Sequence, residues 1–261
     1  MAIGVFDSGI GGLTVLKSLV ENFPLETFIY LGDTARLPYG SKSTETIRKY
    51  SEQNISFLLD HDVKAVVIAC NSASSQFLES SWQGINIYNV IHPGAKLAAM
   101  NTRKKRIGVL GTRATIQSRI YEKEILKLDP EIQVLPQACP LFVPLAEEAL
   151  FEDPITNLVA YRYIQPLLAE GIDALVLGCT HYPLLEKAIR KVVGNHFPLI
   201  DSGVAVTQVL KQEFQNRNLD SSMNPLSQIK LFFTDASPHL MELVEKILYP
   251  IPFTSIEKVD L

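Results

Sequence analysis

An apolar run in this chain closes on a cysteine and turns polar at once: "ALVLGCTHYP", residues 174–183. A cysteine in such a place is a small buried hydrophobe, a nucleophile or an acid/base group. A second segment answers it. "VKAVVIACNSASS" (63–75) and "IDALVLGCTHYPL" (172–184) share one pattern: a branched apolar residue, a charged residue, alanine, three apolar residues, a small residue, cysteine, then polar residues. Cys70 and Cys179 are 109 residues apart, and each is followed 21 positions later by a related tetrapeptide, "IHPG" (91–94) and "IDSG" (200–203). The starts match as well, "IGVFDSGIGG" (3–12) against "IGVLGTRATI" (107–116). Landmarks that recur in order read as a duplicated unit of roughly a hundred residues.

Two symmetry-related thiols suit one task in particular, moving a proton onto one face of a carbon and off the other. A planar carbanion has two nearly equivalent faces and needs a similar acid/base group on each. An unperturbed thiol, with a pKa of about 8.5, serves in either role near neutral pH. Each cysteine is expected to open a helix, whose N-terminal amides favour the thiolate, and the two would titrate as a coupled pair. Around them, Asp7 and Ser8 suit an ammonium group, while Asn71, Ser72 and Thr180 at helix N-termini suit a carboxylate. The cleft therefore reads as an amino-acid site. "DSGIGG" (7–12) with Asp33 further on resembles a dinucleotide loop, but the third glycine position holds Thr14, and Asp7 would sit beside the pyrophosphate. His181, two residues after Cys179, is a candidate to assist that thiol or else a capping or core histidine. Cys139, in "QACPLF", reads as a buried hydrophobe. Asp33 also reads as a loop cap, and Glu147 with Glu148 as a solvated helix face.

The positioning elements alternate. Strands are expected at "AIGVF", "TFIYL" and "AVVIA", with helices over "LTVLKSLVENF" and "TETIRKYSEQNISFLLD". The second half repeats this: strands at 107–110, 132–135, 174–178 and 197–200, and helices near 116–128, across 144–170 and at 184–193. A tail adds a helix (205–214), the strand "IKLFF" and a helix around "SPHLMELVEKIL". The fold class is α/β: two pseudo-symmetric α/β domains with mostly parallel sheets and the active site in the cleft between them. The expected division is 1–94 plus 205–261 for the first domain and 95–204 for the second. Each polar cluster directly follows an apolar strand, where ligands gather in open α/β sheets: Asp7-Ser8, Asp33, Cys70 to Ser72, Thr112 to Thr115, and Cys179 to His181.

Composition bounds the alternatives. The 261 residues are 47% hydrophobic and 20% charged, enough for a sizeable core. A net charge of −4 gives no electrostatic footprint for nucleic acid, and "TRKKR" (102–106) reads as a solvated loop. "MAIGVFDSG" has no basic leader, and no apolar run approaches the roughly 18 residues of a membrane span. Three cysteines without a CxxC or HExxH pattern read as reduced thiols in a cytoplasm, with no metal site expected.

"FDSGIGG", "GDTARLPYG", "ACNSAS", "GTRATIQS", "FVPLAEE" and "GCTHYPLL" closely resemble the cofactor-independent aspartate/glutamate racemase superfamily, and within it the glutamate racemases. The resemblance runs from about residue 3 to 205 in the family's order. It implies interconversion of L- and D-glutamate with no cofactor, supplying D-glutamate for peptidoglycan, cell-wall biogenesis and cell shape. It implies Cys70 and Cys179 as the acid/base pair, assisted by Asp7 and His181, with Asp33 and Glu147 as further polar groups at the site. Ser8, Pro38, Tyr39, Gly40, Asn71, Ser72, Thr115 and Thr180 would bind substrate, together with Asp7 and His181. A small-molecule partner is implied, with neither nucleic acid nor membrane, and a homodimer is compatible with it. Ser72 stands where threonine is frequent, and His92 where an acid is common. No extension precedes the first strand, so activation by a peptidoglycan precursor is not expected. The rival readings are an aspartate racemase or related isomerase with the same thiol pair, a non-catalytic amino-acid sensor, and a cysteine hydrolase using Cys179 and His181, which would leave Cys70 unexplained.

Overall fold

A computed structural model describes residues 1–216 and 228–261 of the chain. The first half lays down β1 (Ala2–Asp7), α1 (Leu13–Asn22), β2 (Phe28–Gly32), α2 (Thr44–Leu59), β3 (Val63–Ile68), α3 (Asn71–Ser74), β4 (Ser81–Trp82), β5 (Ile85–Asn89) and α4 (Ile91–Asn101). The second half gives β6 (Arg106–Gly111), α5 (Arg113–Ser118), α6 (Ile120–Leu128), β7 (Gln133–Ala138), α7 (Phe142–Glu147), α8 (Pro154–Ala169), β8 (Ala174–Gly178), α9 (Glu186–Val193), β9 (Leu199–Asp201) and α10 (Ser202–Asn216). The tail adds β10 (Ile229–Phe233), α11 (Pro238–Leu248) and β11 (Ser255–Lys258).

The strands form two sheets, ordered β11-β10-β2-β1-β3-β5-β4 and β7-β6-β8-β9. Among the described residues every pairing is parallel except β4 with β5. The duplication is visible in the topology. β2-β1-β3-β5 and β7-β6-β8-β9 both place the unit's second strand outside its first, then its third and its last parallel strand. The tail extends the first sheet, with β10 parallel to β2 from Ile229 against Phe28 to Phe233 against Gly32.

Helices cover both faces of each sheet, as a parallel sheet requires. The last helix of each unit crosses over to the other. Ile91, Ala95 and Ala98 of α4 pack with Ile107, Val109, Tyr121, Ile125 and Val176 of the second half. Val206, Leu210 and Phe214 of α10 pack with Ile3, Val5, Leu13, Leu16 and Phe23 of the first. The crossing helices also touch each other and flank the places where the chain passes between halves.

Several elements differ from the sequence expectation. The helix expected near 116–128 is two helices. Thr112 caps the first early, accepting from the Thr115 amide at 3.3 Å, and Arg119 separates the two in the left-handed region at φ 53°. β7 runs on to Ala138 through Pro136, which an edge strand tolerates because its missing N–H faces no partner. β5 was not expected: "INIYN" alternates polar and apolar residues, and only Ile87 is fully buried. β11, with its four residues "SIEK", is an edge strand without an apolar run. Among the described residues no helix is long and apolar enough to cross a membrane.

The crossover makes a stability prediction. Leu210→Ala, at a fully buried position of α10, should cost about 2–5 kcal/mol. Val204→Ala, on the same helix but 40% exposed, should cost less than about 0.5 kcal/mol. Urea unfolding midpoints of both variants against the parent check this.

Candidate active site

The carboxyl ends of β1, β3, β6 and β8 converge. Asp7 ends β1, Cys70 follows β3 by two residues, Thr112 follows β6, and Cys179 follows β8. Ser8, Cys70, Asn71 and Ser72 from the first half and Thr112, Cys179, Thr180 and His181 from the second line one cavity. The loop residues Pro38, Tyr39 and Gly40 close it from above. Its volume is ≈ 10 Å³, about what one water needs.

Cys70 is 4% exposed and caps α3, its sulfur accepting from the Ala73 amide at 3.5 Å. Its thiol donates to Ser8 Oγ at 3.7 Å. Burial and the nearby Asp7 charge push this thiol well above its ordinary range, outweighing the Ala73 amide and the Ser8 hydroxyl. The helix amides therefore do not by themselves favour a thiolate at Cys70. Cys179, 6% exposed, does not open an α-helix directly, contrary to expectation. Thr180 and His181 intervene, a 3₁₀ turn covers Tyr182–Leu185, and only then does α9 begin. The Cys179 sulfur instead faces His181 Nδ1 at 3.9 Å.

His181 is 2% exposed, and its Nε2 lies 2.5 Å from Glu147 Oε1. Burial alone would lower its pKa. The hydrogen bonds to Cys179 and Glu147 and their charges outweigh burial and hold the ring protonated well above the usual imidazole range. Asp7 has no exposed surface. Its Oδ2 accepts from the Gly9 amide at 3.0 Å, and its Oδ1 accepts across the seam from Thr180 Oγ1 at 3.2 Å. Burial raises its pKa, opposed by the His181 charge, the Gly9 and Gly12 amides and Thr180. Gly11 permits this approach: a Cβ there would lie 2.4 Å from His181 Nδ1 and 2.5 Å from Thr180 Oγ1.

Other polar residues tie the halves together. Asn71 Nδ2 donates to Ser202 Oγ at 3.2 Å, and Tyr121 Oη donates to Asn71 Oδ1 at 2.7 Å. Ser72 Oγ lies 2.9 Å from Thr112 Oγ1. Thr115 stands behind this pair, 3.5 Å from Ser72 Oγ and 3.1 Å from Thr112 Oγ1, and does not line the cavity. The residue of "GTRATIQS" that faces the cavity is Thr112. The repeat register carries the signal for it, since Thr112 follows "IGVLG" as Ser8 follows "IGVFD". Asp33 also stands outside the cavity. It accepts from Arg36 Nε at 2.6 Å, from Tyr39 Oη and from Thr234 Oγ1 at 3.0 Å, so it anchors the Thr34–Ser41 loop from beneath. Asp7 and Glu147 lie one hydrogen bond behind Thr180 and His181. Cys139 is fully buried beside the site, donating weakly to Gln137 O at 3.5 Å. Leu37 and Val143 line the cavity without having been singled out in the sequence. Among the described residues no group of three or more His, Cys, Asp or Glu could hold a metal ion.

The raised pKa of His181 fixes a pH dependence of stability. Its contribution is complete below the unfolded value of about 6.5 and is lost as pH rises through the folded value. His181→Gln should therefore trail the parent most in urea midpoint at about pH 6 and close the gap as the solution becomes alkaline. A gap independent of pH would contradict the charged ring.

Three comparisons place this geometry among known proteins. The profile of the family described as Asp/Glu/Hydantoin racemase matches residues 3–210. A glutamate racemase from Geobacter metallireducens is 48% identical over 213 residues, 81% of this chain and 79% of that one. The crystal structure of a glutamate racemase isoform from Bacillus anthracis superposes with a TM-score of 0.93 at 36% identity, covering 100% of this chain and 97% of that one. That of a glutamate racemase from Francisella tularensis in complex with D-glutamate gives 0.91 at 36% identity, over 99% and 97%. The chain belongs to the Asp/Glu/Hydantoin racemase family and is a racemase by that membership.

Proposed function

We propose that this chain interconverts L- and D-glutamate by moving a proton between Cys70 and Cys179 across the α-carbon. The observation that carries the reading is the pair of thiols, brought from equivalent strand ends of duplicated halves to one buried cavity. The Cys179 thiolate takes the α-proton of L-glutamate and becomes a thiol, leaving the Cα–H bonding pair on the α-carbon. The electron pair spreads into the α-carboxylate. The Cys70 thiol then delivers its proton to the opposite face and becomes the thiolate. D-glutamate runs the same steps in reverse. Every proton is carried by a thiol, so the chemistry asks for no cofactor. The glutamate assignment draws on the relatives, among them the Francisella tularensis structure holding D-glutamate. D-glutamate made in the cytoplasm would supply peptidoglycan.

Asp7 and Ser8 receive the ammonium group, and Asn71, Ser72, Thr180 and Thr112 hold the α-carboxylate. A bound ammonium would offset the Asp7 charge that now raises the Cys70 thiol. Pro38, Tyr39 and Gly40 cover the substrate, with Asp33 holding their loop and Thr115 backing Ser72. The His181–Glu147 pair serves Cys179. An α-proton is a very weak acid and a thiolate a modest base, so fixed donors in a dry cavity must supply much of the rate. A cavity of ≈ 10 Å³ cannot admit glutamate. The halves, divided as 1–94 plus 205–261 against 95–204, must part at the crossings near Gly94 and Gly203.

In heavy water, product formed early should carry deuterium at the α-carbon while recovered substrate stays mostly unlabelled. The delivering thiol exchanges with solvent and the abstracting one returns nothing to substrate. Equal early labelling of both, read by mass spectrometry, would indicate one base working both faces. Cys70→Ser and Cys179→Ser should each abolish efficient racemisation, since a hydroxyl is a far weaker acid, and Cys139→Ser should retain it in the same polarimetric assay.

Opening makes a separate prediction. Small-angle scattering should give a larger radius of gyration without glutamate than with saturating glutamate. Identical profiles would refute closure about these crossings.

A further inference from the structure

Glu147 is held from two sides, and only one belongs to the cavity. Its carboxylate grips His181 Nε2 at 2.5 Å, and that ring faces Cys179. Its backbone carbonyl, at the last position of α7, accepts from His239 Nε2 at 2.8 Å. His239 stands in the first turn of α11, in the tail that extends the first sheet. The bond crosses from one half of the molecule to the other and satisfies a carbonyl that the end of a helix leaves without an internal partner.

Neighbouring residues pin the same segment to the same helix. Ala149, two residues past the end of α7, adopts the left-handed region at φ 55°. Such a conformation persists in a non-glycine residue when its surroundings hold it. Ala149 and Phe151 both pack against the first core. Lys246, on the last turn of α11, places Nζ 4.6 Å from the centre of the Phe151 ring. Residues 147–151 are thus clamped to α11 at the carbonyl of Glu147 and at the ring of Phe151. A glutamate side chain has three rotatable bonds, so a 2.5 Å contact to a buried ring needs a backbone that does not wander.

We propose that His239 is a positioning residue for the racemisation: by holding the Glu147 carbonyl it fixes the carboxylate that sets the His181 ring against Cys179. Nε2 donates from the neutral tautomer and from the imidazolium alike, so the link holds on both sides of the histidine pKa. The consequence for turnover rests on the glutamate reading above. The consequence for the ring does not.

The test uses the full chain with His239→Ala and His239→Gln, the second keeping an N–H donor at similar reach. First, the His181 ring is titrated by nitrogen-15 NMR without substrate. His239→Ala should lower its midpoint, and His239→Gln should restore it. Second, α-deuterated L- and D-glutamate are turned over. Enantiomers have equal free energies, so kcat/KM must fall by the same factor in both directions, about fivefold for a coupled contact of this kind. The isotope effects need not move together. Slowing only the Cys179 step should raise the effect with deuterated L-glutamate and reduce it with the D-enantiomer, and His239→Gln should return both to the parent values. An unchanged His181 midpoint in His239→Ala, or a loss of rate with both isotope effects unchanged, overturns the positioning role. A shifted midpoint in a chain that does not turn over glutamate upholds the positioning and removes the substrate assignment.

Discussion

A carboxylate with no exposed surface stands at the seam between the halves, and its needs dictate much around it. Asp7 would be costly to bury alone. Its own loop supplies amides, and the opposing half supplies the Thr180 hydroxyl at 3.2 Å. That bond forms only where the two loops nearly interpenetrate, which is why a side chain at Gly11 would collide with His181 and Thr180. The same approach brings Cys70 and Cys179 to one cavity and leaves room for little water. The dryness that makes weak acids and bases effective and the satisfaction of Asp7 are one geometric fact.

Duplication supplied two thiols but not two identical settings. Cys70 faces Ser8, with the negative Asp7 nearby and an α-helix amide at its sulfur. Cys179 faces an imidazolium backed by a carboxylate. One sulfur thus lies near a negative charge, the other beside a positive ring.

The alternation of strands and helices, the duplication and the meeting of the two cysteines were legible because long apolar strands and repeated register are strong signals. What escaped had weaker or non-local causes. β5 is half-buried and interrupts its apolar residues with asparagines, and α4 presents mostly alanines to the second core. Asp33 carries the residue type and spacing of a site group, yet its partners Arg36, Tyr39 and Thr234 make it a loop anchor, and Thr234 lies 201 residues away. Thr115 and Thr112 are separated by one helical turn, and the repeat register that aligns Thr112 with Ser8 is what distinguishes the one that faces the cavity. Glu147 could be raised above a surface glutamate only by resemblance, since its partner His181 is 34 residues further on.

The exchange of α4 and α10 between units has a consequence for how the chain is made. Synthesis proceeds from the N-terminus, and domains are commonly completed in that order. Here five of the first sheet's seven strands have emerged by Asn89, but Val206, Leu210 and Phe214, which close one of its faces, follow only after the second unit's sheet. Its outer strands β10 and β11 come later still. Meanwhile Ile91, Ala95 and Ala98 leave the ribosome with no second sheet to cover. The nascent first unit therefore carries an open apolar face until α10 is made and an unpaired β2 edge until β10 follows, and the second unit, inserted between, is the one that can close first.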